Sequence, residues 1–225
     1  MIECCPFTVS MFGMNDPAQT LMQLESYLQG DRLEMTEVMA TQFTDMFLSK
    51  KTRTQNEQAM LVRGLQILCD VLIMRSKFVL AMTSAKTLLR ERRRITEPNN
   101  SIGHYYQDLQ RCGNSFALAG KKRKAKSFFV KAFKHSGGCV AATLDGVRAI
   151  KNDRKLIDLF LHSLDQSGPV TRSGESFIVQ PDNLPAVEVD ALLQALEGIK
   201  LSIDERVNQH TRRLRAQIAL SLIHI

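Results

Sequence analysis

From Leu109 to Gly137 the apolar and small residues recur at steps of three and four: Leu109, Cys112, Gly113 and Phe116, then, past Gly120, Ala125, Phe128, Phe129, Ala132 and Phe133. That period gathers each half on one stripe of a helix. Gly120 falls where a helix C-terminus needs a residue free to take positive φ. Gly113, Ala125 and Ala132 are small within bulky stripes, which lets two antiparallel backbones approach while Phe116 and Phe129 fill the remaining space. The pattern predicts a helical hairpin.

The same period runs through the rest of the chain. Asn15-Asp16-Pro17 supplies a capping side chain and a first-turn proline for a helix with Leu21, Leu24, Tyr27 and Leu28 inward, ending near Gly30. A second helix runs from Met35 to Phe47 with Met35, Val38, Met39, Phe43, Met46 and Phe47 on its stripe. From Asn56 to Arg75 the apolar residues are so dense that the helix must be buried on much of its circumference. Phe78 to Arg94 follows, with Leu80, Ala81, Ala85, Leu88 and Leu89 inward, until ITEPNNS breaks the pattern, with Ser101 as a candidate cap. Val140 to Ile150 and Arg154 to Leu164 make a further hairpin across Lys151-Asn152-Asp153. A hairpin cannot bury its own apolar face, so these units must stack.

Between Gln166 and Ala186 the character changes: Gly168-Pro169, Gly174, Pro181 and Pro185 forbid a long helix. This reads as a linker in which Phe177-Ile178-Val179 forms a short extended piece. Two more helices are expected, Val187 to Ile199 and one opening at Ser202. The latter ends on SLIHI with no cap or polar tail, which reads as a truncated end. The expected organisation is a disordered N-terminus over 1–14, a helical-hairpin domain over 15–165, a linker over 166–186 and a C-terminal helical pair over 187–225. The fold class is all-α, an irregular stack of antiparallel helical hairpins.

Charge adds a second pattern. The net charge of +7 is unevenly placed: from Lys50 to Lys134 there are 19 Lys and Arg against 5 Asp and Glu, and elsewhere 11 against 18. Two clusters stand out, Arg90, Arg92, Arg93 and Arg94 at a helix end, and Lys121, Lys122, Arg123, Lys124, Lys126, Lys131 and Lys134 opposite the apolar stripe of the second central helix. Cations suit a helix C-terminus, so the arginines read first as a solvated terminus. The lysine face has no interleaved acid, and like charges a turn apart cost a few tenths of a kcal/mol per pair. Phosphate backbone, an acidic partner, or the acidic C-terminal region of this chain or of a copy would each relieve it. KKRK also resembles a nuclear import signal.

The central hairpin resembles a tetratricopeptide repeat, over about an eighth of the chain. Leu109 stands in the Trp place of that motif, Cys112 in the Leu place, Gly113 in the Gly place and Phe116 in the Tyr place. Gly120, Ala125, Phe129 and Ala132 fall on the turn glycine and the second-helix places. The Trp, Leu and Pro places depart, Gly137 standing for the proline. The resemblance implies an α-solenoid whose first helices line a groove for partner peptides. Asn114 matches an Asn with which some members hold a peptide's terminal carboxylate, although the accompanying Lys is Gln110 here. Arg111 and Asn114 are the candidate groove residues.

Catalytic constellations are not evident: no GxGxxG, P-loop or GxSxG is present. His104, Cys112, His135 and Cys139 lack the short paired spacing of a zinc site, and Cys112 falls on a packing position. The chain reads as having no cofactor and no metal. No apolar run approaches the ~18 residues of a spanning helix, and the odd set of five cysteines suits a reducing compartment, so a cytoplasmic protein with no membrane partner is expected. The expected function is a non-enzymatic scaffold or adaptor that binds a protein or peptide, of acidic character. The alternative is a nucleic-acid-binding protein using the two basic clusters.

Overall fold

A computed structural model of the chain describes residues 16–95, 102–167, 170–173 and 176–179. The elements are α1 (Pro17–Gln29), α2 (Leu33–Leu48), α3 (Gln55–Met74), α4 (Phe78–Arg92), α5 (Tyr105–Leu118), α6 (Lys122–His135), α7 (Val140–Ala149), α8 (Arg154–Ser167), β1 (Val170–Ser173) and β2 (Ser176–Val179). Asp16 starts α1 as expected, its carboxylate accepting from the Ala18 N–H at 2.9 Å with Pro17 in the first turn. The longest helix, α3, opens on a reciprocal cap. The Glu57 N–H donates to Thr54 Oγ1 at 3.2 Å, and the Thr54 N–H to Glu57 Oε2 at 2.9 Å, satisfying two N–H groups that a helix start leaves free. Ser101 lies outside the described residues. His104 takes the cap position of α5, its N–H held by Gln107 Oε1 at 3.1 Å.

The helices are paired as α1/α2, α3/α4, α5/α6 and α7/α8, and the pairs stack. Odd-numbered helices touch in succession, α1 on α3, α3 on α5 and α5 on α7, while each even helix packs on the next odd one. This is an all-α stack of antiparallel hairpins, its odd helices forming one layer. The turns within pairs, residues 30–32, 75–77, 119–121 and 150–153, therefore all lie at one end of the stack, the turn edge. The links between pairs lie at the other.

Three of those turns close in the same way. In the α5/α6 turn the Lys121 N–H returns to the Phe116 carbonyl at 2.8 Å and the Gly120 N–H to Ala117 at 2.9 Å, with Gly120 at φ 75°. Asp31 at φ 56° and Ser76 at φ 59° occupy the equivalent place in the first two turns, with the same pair of returning bonds. The bonds satisfy carbonyls that a helix end leaves free, and they require a left-handed residue at that position.

The core is built around α3, whose residues Leu61, Val62, Leu65, Ile67, Leu68, Cys69, Val71 and Leu72 are all buried. They meet Phe43 and Phe47 of α2, Leu88 of α4 and Leu109 of α5 in one cluster. A second cluster joins Phe116, Phe129, Leu156, Ile157 and Phe160 under α5 to α8. Phe129 is its keystone. A Cβ placed on Gly113 of α5 would stand 2.5 Å from its ring, and one on Gly146 of α7 would stand 3.0 Å from it, so three helices converge on one aromatic side chain. Burying such a ring contributes about 2–3 kcal/mol relative to leaving it in water.

Several sequence expectations need correction. Leu80, read as inward, is 54% exposed, and Met35 and Val38 are exposed as well. Each sits in the first turns of its helix on the side away from the packed face, where Thr36 of α2 and Ala81 of α4 are wholly buried instead. Helix α8 runs to Ser167, past Leu164. The extended piece at 177–179 is one strand of a hairpin: β1 pairs antiparallel with β2, Val170 opposite Val179 and Ser173 opposite Ser176. The all-α stack thus ends, among the described residues, in a small β-ribbon packed by α8. The expectations for residues 1–14 and for the helical pair over 187–225 lie outside the described residues. No described helix is long and apolar enough to cross a membrane.

Candidate functional site

Two polar regions emerge from this frame. The first is a ladder across the odd helices. Arg63 of α3 reaches Glu25 of α1 at 2.7 Å. The guanidinium Nε of Arg111, on α5, lies 3.1 Å from each carboxylate oxygen of Asp70 on α3. Asp108, fully buried, accepts from Gln66 Nε2 at 2.7 Å and lies 3.4 Å from Arg111 and 3.6 Å from Arg92. Gln110 bridges α5 to α7, donating to the Ala141 carbonyl at 2.8 Å and to Asp145 at 2.9 Å.

Burial pushes the Asp70, Asp108 and Asp145 carboxyls above the usual range, against the opposing pull of Arg111, Gln66 and Arg148 respectively. Burial also works against the Arg111 cation, but Asp70 and Asp108 outweigh it and hold its charge. Asp108 is wholly buried, whereas Asp70 is a third exposed and screened by water. Arg111 and Asn114 both lie on α5, in the layer of odd helices, and both have partners within the chain. Arg111 is held by Asp70 and Asp108, and Asn114 hydrogen-bonds to Asp145.

The second region is the cations. Arg90, Arg92 and Arg94 are largely taken up by the protein itself. Glu91 is buried, and its carboxylate receives Arg53 at 2.9 Å, Arg90 at 3.0 Å, Arg94 at 2.9 Å and Gln58 at 3.2 Å. Burial pushes that carboxyl up, yet the bonds from Gln58 and Arg90 and the charges of Arg94 and Arg53 outweigh it, holding Glu91 below the usual range. Arg92 donates to the Ile102 and Gly103 carbonyls at 3.2 and 2.6 Å. Arg93 is exposed. The cluster read as a solvated terminus is largely exposed, with Arg90 and Arg94 also flanking one buried acid, of which the Glu inside RERRR was the trace in the sequence.

The lysines of α6 differ. Lys121, Lys122, Arg123 and Lys124 are all exposed, no acid stands in the first turn of α6, and Lys121 offers that terminus no capping side chain. Four positive charges therefore crowd the positive end of a helix dipole. Farther along, Lys126 pairs with Asp153 at 2.7 Å, Lys131 lies 5.9 Å from the centre of the Phe128 ring, and Lys134 is in the last turn, where the dipole suits it. An open concavity of about 420 Å³ separates α6 from the α7/α8 turn, lined by Lys122, Arg123, Lys126, Ile150 and residues 151–153.

The two basic clusters are not brought together. Arg90 to Arg94 end α4 beside the start of α5, whereas Lys121 to Lys124 follow the end of α5. The 14 residues of α5 put about 21 Å between them at 1.5 Å per residue. The turn edge that holds the α6 cations also carries Met35, Val38, Met74, Val79, Leu80 and Leu118, all exposed. Of these, Met35, Val38 and Leu80 were hidden from sequence reasoning because they obey the same period as core residues. His135 and Cys112 are likewise occupied by packing, the former edge-on to Tyr105 at 5.0 Å, the latter buried with its thiol 3.1 Å from the Ala85 carbonyl. Among the described residues no group of three or more His, Cys, Asp or Glu is disposed to hold a metal.

The class defined by this geometry is an all-α stack of helical hairpins with a polar ladder on one layer and, at one end, a cationic patch not paired with any acid among the described residues. Comparison with known proteins adds no closer identity: no family model, no curated protein and no solved structure matches the chain.

Proposed function

We propose that the protein is a non-enzymatic interaction scaffold that holds an acidic segment of a partner protein on the turn edge of its helical stack. One observation carries this reading. The cations of the ladder, and Arg90, Arg92 and Arg94 at the α4 terminus, have carboxylate or carbonyl partners, whereas Lys121 to Lys124 stand exposed at a helix start with no acid paired to them among the described residues. Like charges so placed repel one another, and an acidic partner removes that cost. The apolar side chains of Met74, Val79, Leu80 and Leu118 on the same edge favour a polypeptide, since they offer a partner's side chains apolar surface to bury. Arg111 and Asn114 belong to this reading only as supports of the layer behind the edge, their polar groups being engaged within the chain. The free thiols of Cys69, Cys112 and Cys139 suit a reducing compartment such as the cytoplasm.

A nucleic acid is the second reading, favoured by four consecutive cations. Against it, the cations next along the edge toward α3 and α4, Arg75 and Lys77, are paired with Glu34 and Glu37 at 2.7 to 2.9 Å, which ends the free cations on that side. Fluorescence anisotropy separates the two. A labelled peptide of alternating glutamate and leucine is expected to bind in the micromolar range, and the variant with Lys121, Lys122, Arg123 and Lys124 all changed to Ala to lose it by at least ~10-fold. Tighter, steeply salt-dependent binding of a single-stranded oligonucleotide would favour the second reading. Failure of the peptide to bind even in low salt would overturn the first.

A further inference from the structure

The cleft between α6 and the α7/α8 turn gathers cations from two separate elements around one concavity. Lys122, Arg123 and Lys126 form the α6 wall and Lys151 belongs to the opposing turn. The single carboxylate there, Asp153, is already committed twice. It pairs with Lys126 at 2.7 Å and accepts from the Leu156 N–H at 3.2 Å, closing the first turn of α8. Among the described residues the remaining three cations have no acid facing them in the cleft, and Lys122, Arg123 and Lys151 are all exposed.

We infer that this cleft is a phosphate site, and that the acidic segment held on the turn edge is one carrying a phosphorylated side chain; this rests on the binding reading above. Charge is the first reason. A carboxylate brings one negative charge and two acceptor oxygens, whereas a phosphomonoester brings ~1.5 to 2 charges and three acceptor oxygens at neutral pH. Three uncompensated cations from two directions match the latter. Shape is the second. A concavity of about 420 Å³ has room for a tetrahedral group and part of the chain that bears it. The Arg123 guanidinium supplies the planar fork that grips two phosphate oxygens at once, while the lysines act as point charges. Position is the third. Leu118, exposed at the end of α5, lies only four residues before Lys122, so residues flanking the phosphate find apolar surface at once. On the α3/α4 side of the edge the run of free cations ends at Arg75 and Lys77, which are paired with Glu34 and Glu37.

The test uses the full chain and three labelled probes in fluorescence anisotropy. They are a leucine- and glutamate-containing peptide with one phosphoserine, the same peptide with glutamate at that place, and a single-stranded oligonucleotide. The phosphopeptide is expected to bind about tenfold tighter than its glutamate counterpart, a difference of ~1.4 kcal/mol, and inorganic phosphate to compete for that advantage. Arg123→Ala and Lys151→Ala, both at exposed positions, are expected to abolish the advantage while thermal melts stay unchanged. Arg93→Ala, at the far end of the stack, is expected to leave it intact. Equal binding of the two peptides would overturn the phosphate site and leave the acidic-partner reading standing. Binding of neither peptide would overturn both, as would an oligonucleotide that binds more tightly than either.

Discussion

Gly113 shows how a single residue sets the distance between two helices. The gap it leaves is filled by Phe129, whose ring is buried and bounded on its other side by Gly146, so the ring has no room to yield. In an exposed helix a Gly→Ala change gains about 1 kcal/mol. Here the added methyl meets ring atoms at 2.5 to 2.8 Å, and overpacking of that kind costs ~1–3 kcal/mol. Gly113→Ala is therefore expected to lower stability by up to about 2 kcal/mol net in urea denaturation. Combining it with Phe129→Leu is expected to cost less than the sum of the two changes, because the clash is shared. A stabilised Gly113→Ala protein would show that α5 and α6 are not held at this distance. The contact was half legible in the sequence. The small residue inside a bulky stripe announced a close approach, but neither the aromatic that fills it nor the second glycine across from it follows from periodicity alone.

At the scale of the element, the turns repeat more faithfully than the residues in them. Gly120, Ser76 and Asp31 all adopt the left-handed conformation that closes a helix by returning two N–H groups to its last carbonyls. Only the first is a residue that does so without cost, and only the first was readable from the sequence. For a residue with a Cβ that conformation costs roughly 1 kcal/mol or more, and Asp tolerates it better than Ser through local hydrogen bonding. Ser76→Gly is accordingly expected to raise the melting temperature by a few degrees, on the order of 1 kcal/mol. Asp31→Gly is expected to gain less. If Ser76→Gly destabilised the protein by the full entropy of a freed glycine, the turn would not be held left-handed. The helices themselves were legible because a 3.6-residue period and a capping residue are local facts. What escaped was which positions on a stripe find a neighbour. Leu80 and Ala81 look alike in the pattern, yet one is exposed and the other wholly buried. The charge clusters escaped for the same reason, since Arg53 meets Glu91 across 38 residues of chain.

Across the whole molecule, two opposed sets of carboxylates govern the response to acid. Glu57 is held down to about 2 by its bond from Lys50 and by the Thr54 N–H, and Glu91 is held below its usual value by Gln58 and its arginines despite burial. A depressed folded-state value means stability that is present above the unfolded value of 4.5 and is lost as pH falls below it. Asp70, Asp108 and Asp145 have the opposite sign. Burial raises them, so the folded protein takes up their protons before the unfolded chain does, and stability grows as pH falls from neutral toward 3.8. Asp108 is expected to dominate that limb, being fully buried with Oδ2 lacking a hydrogen bond and Arg92 no nearer than 3.6 Å. The melting temperature is therefore expected to hold or rise from pH 7 to about 4.5 and to fall below it. Asp108→Asn keeps the acceptor for Gln66 and removes the buried charge. It is expected to raise the melting temperature at pH 7 and to flatten the rise toward acid. A loss of stability in Asp108→Asn at every pH, with the wild type weakening steadily from neutral, would mean that Arg111 and Arg92 compensate the carboxylate fully. The ladder across the odd helices would then be a net source of stability at neutral pH.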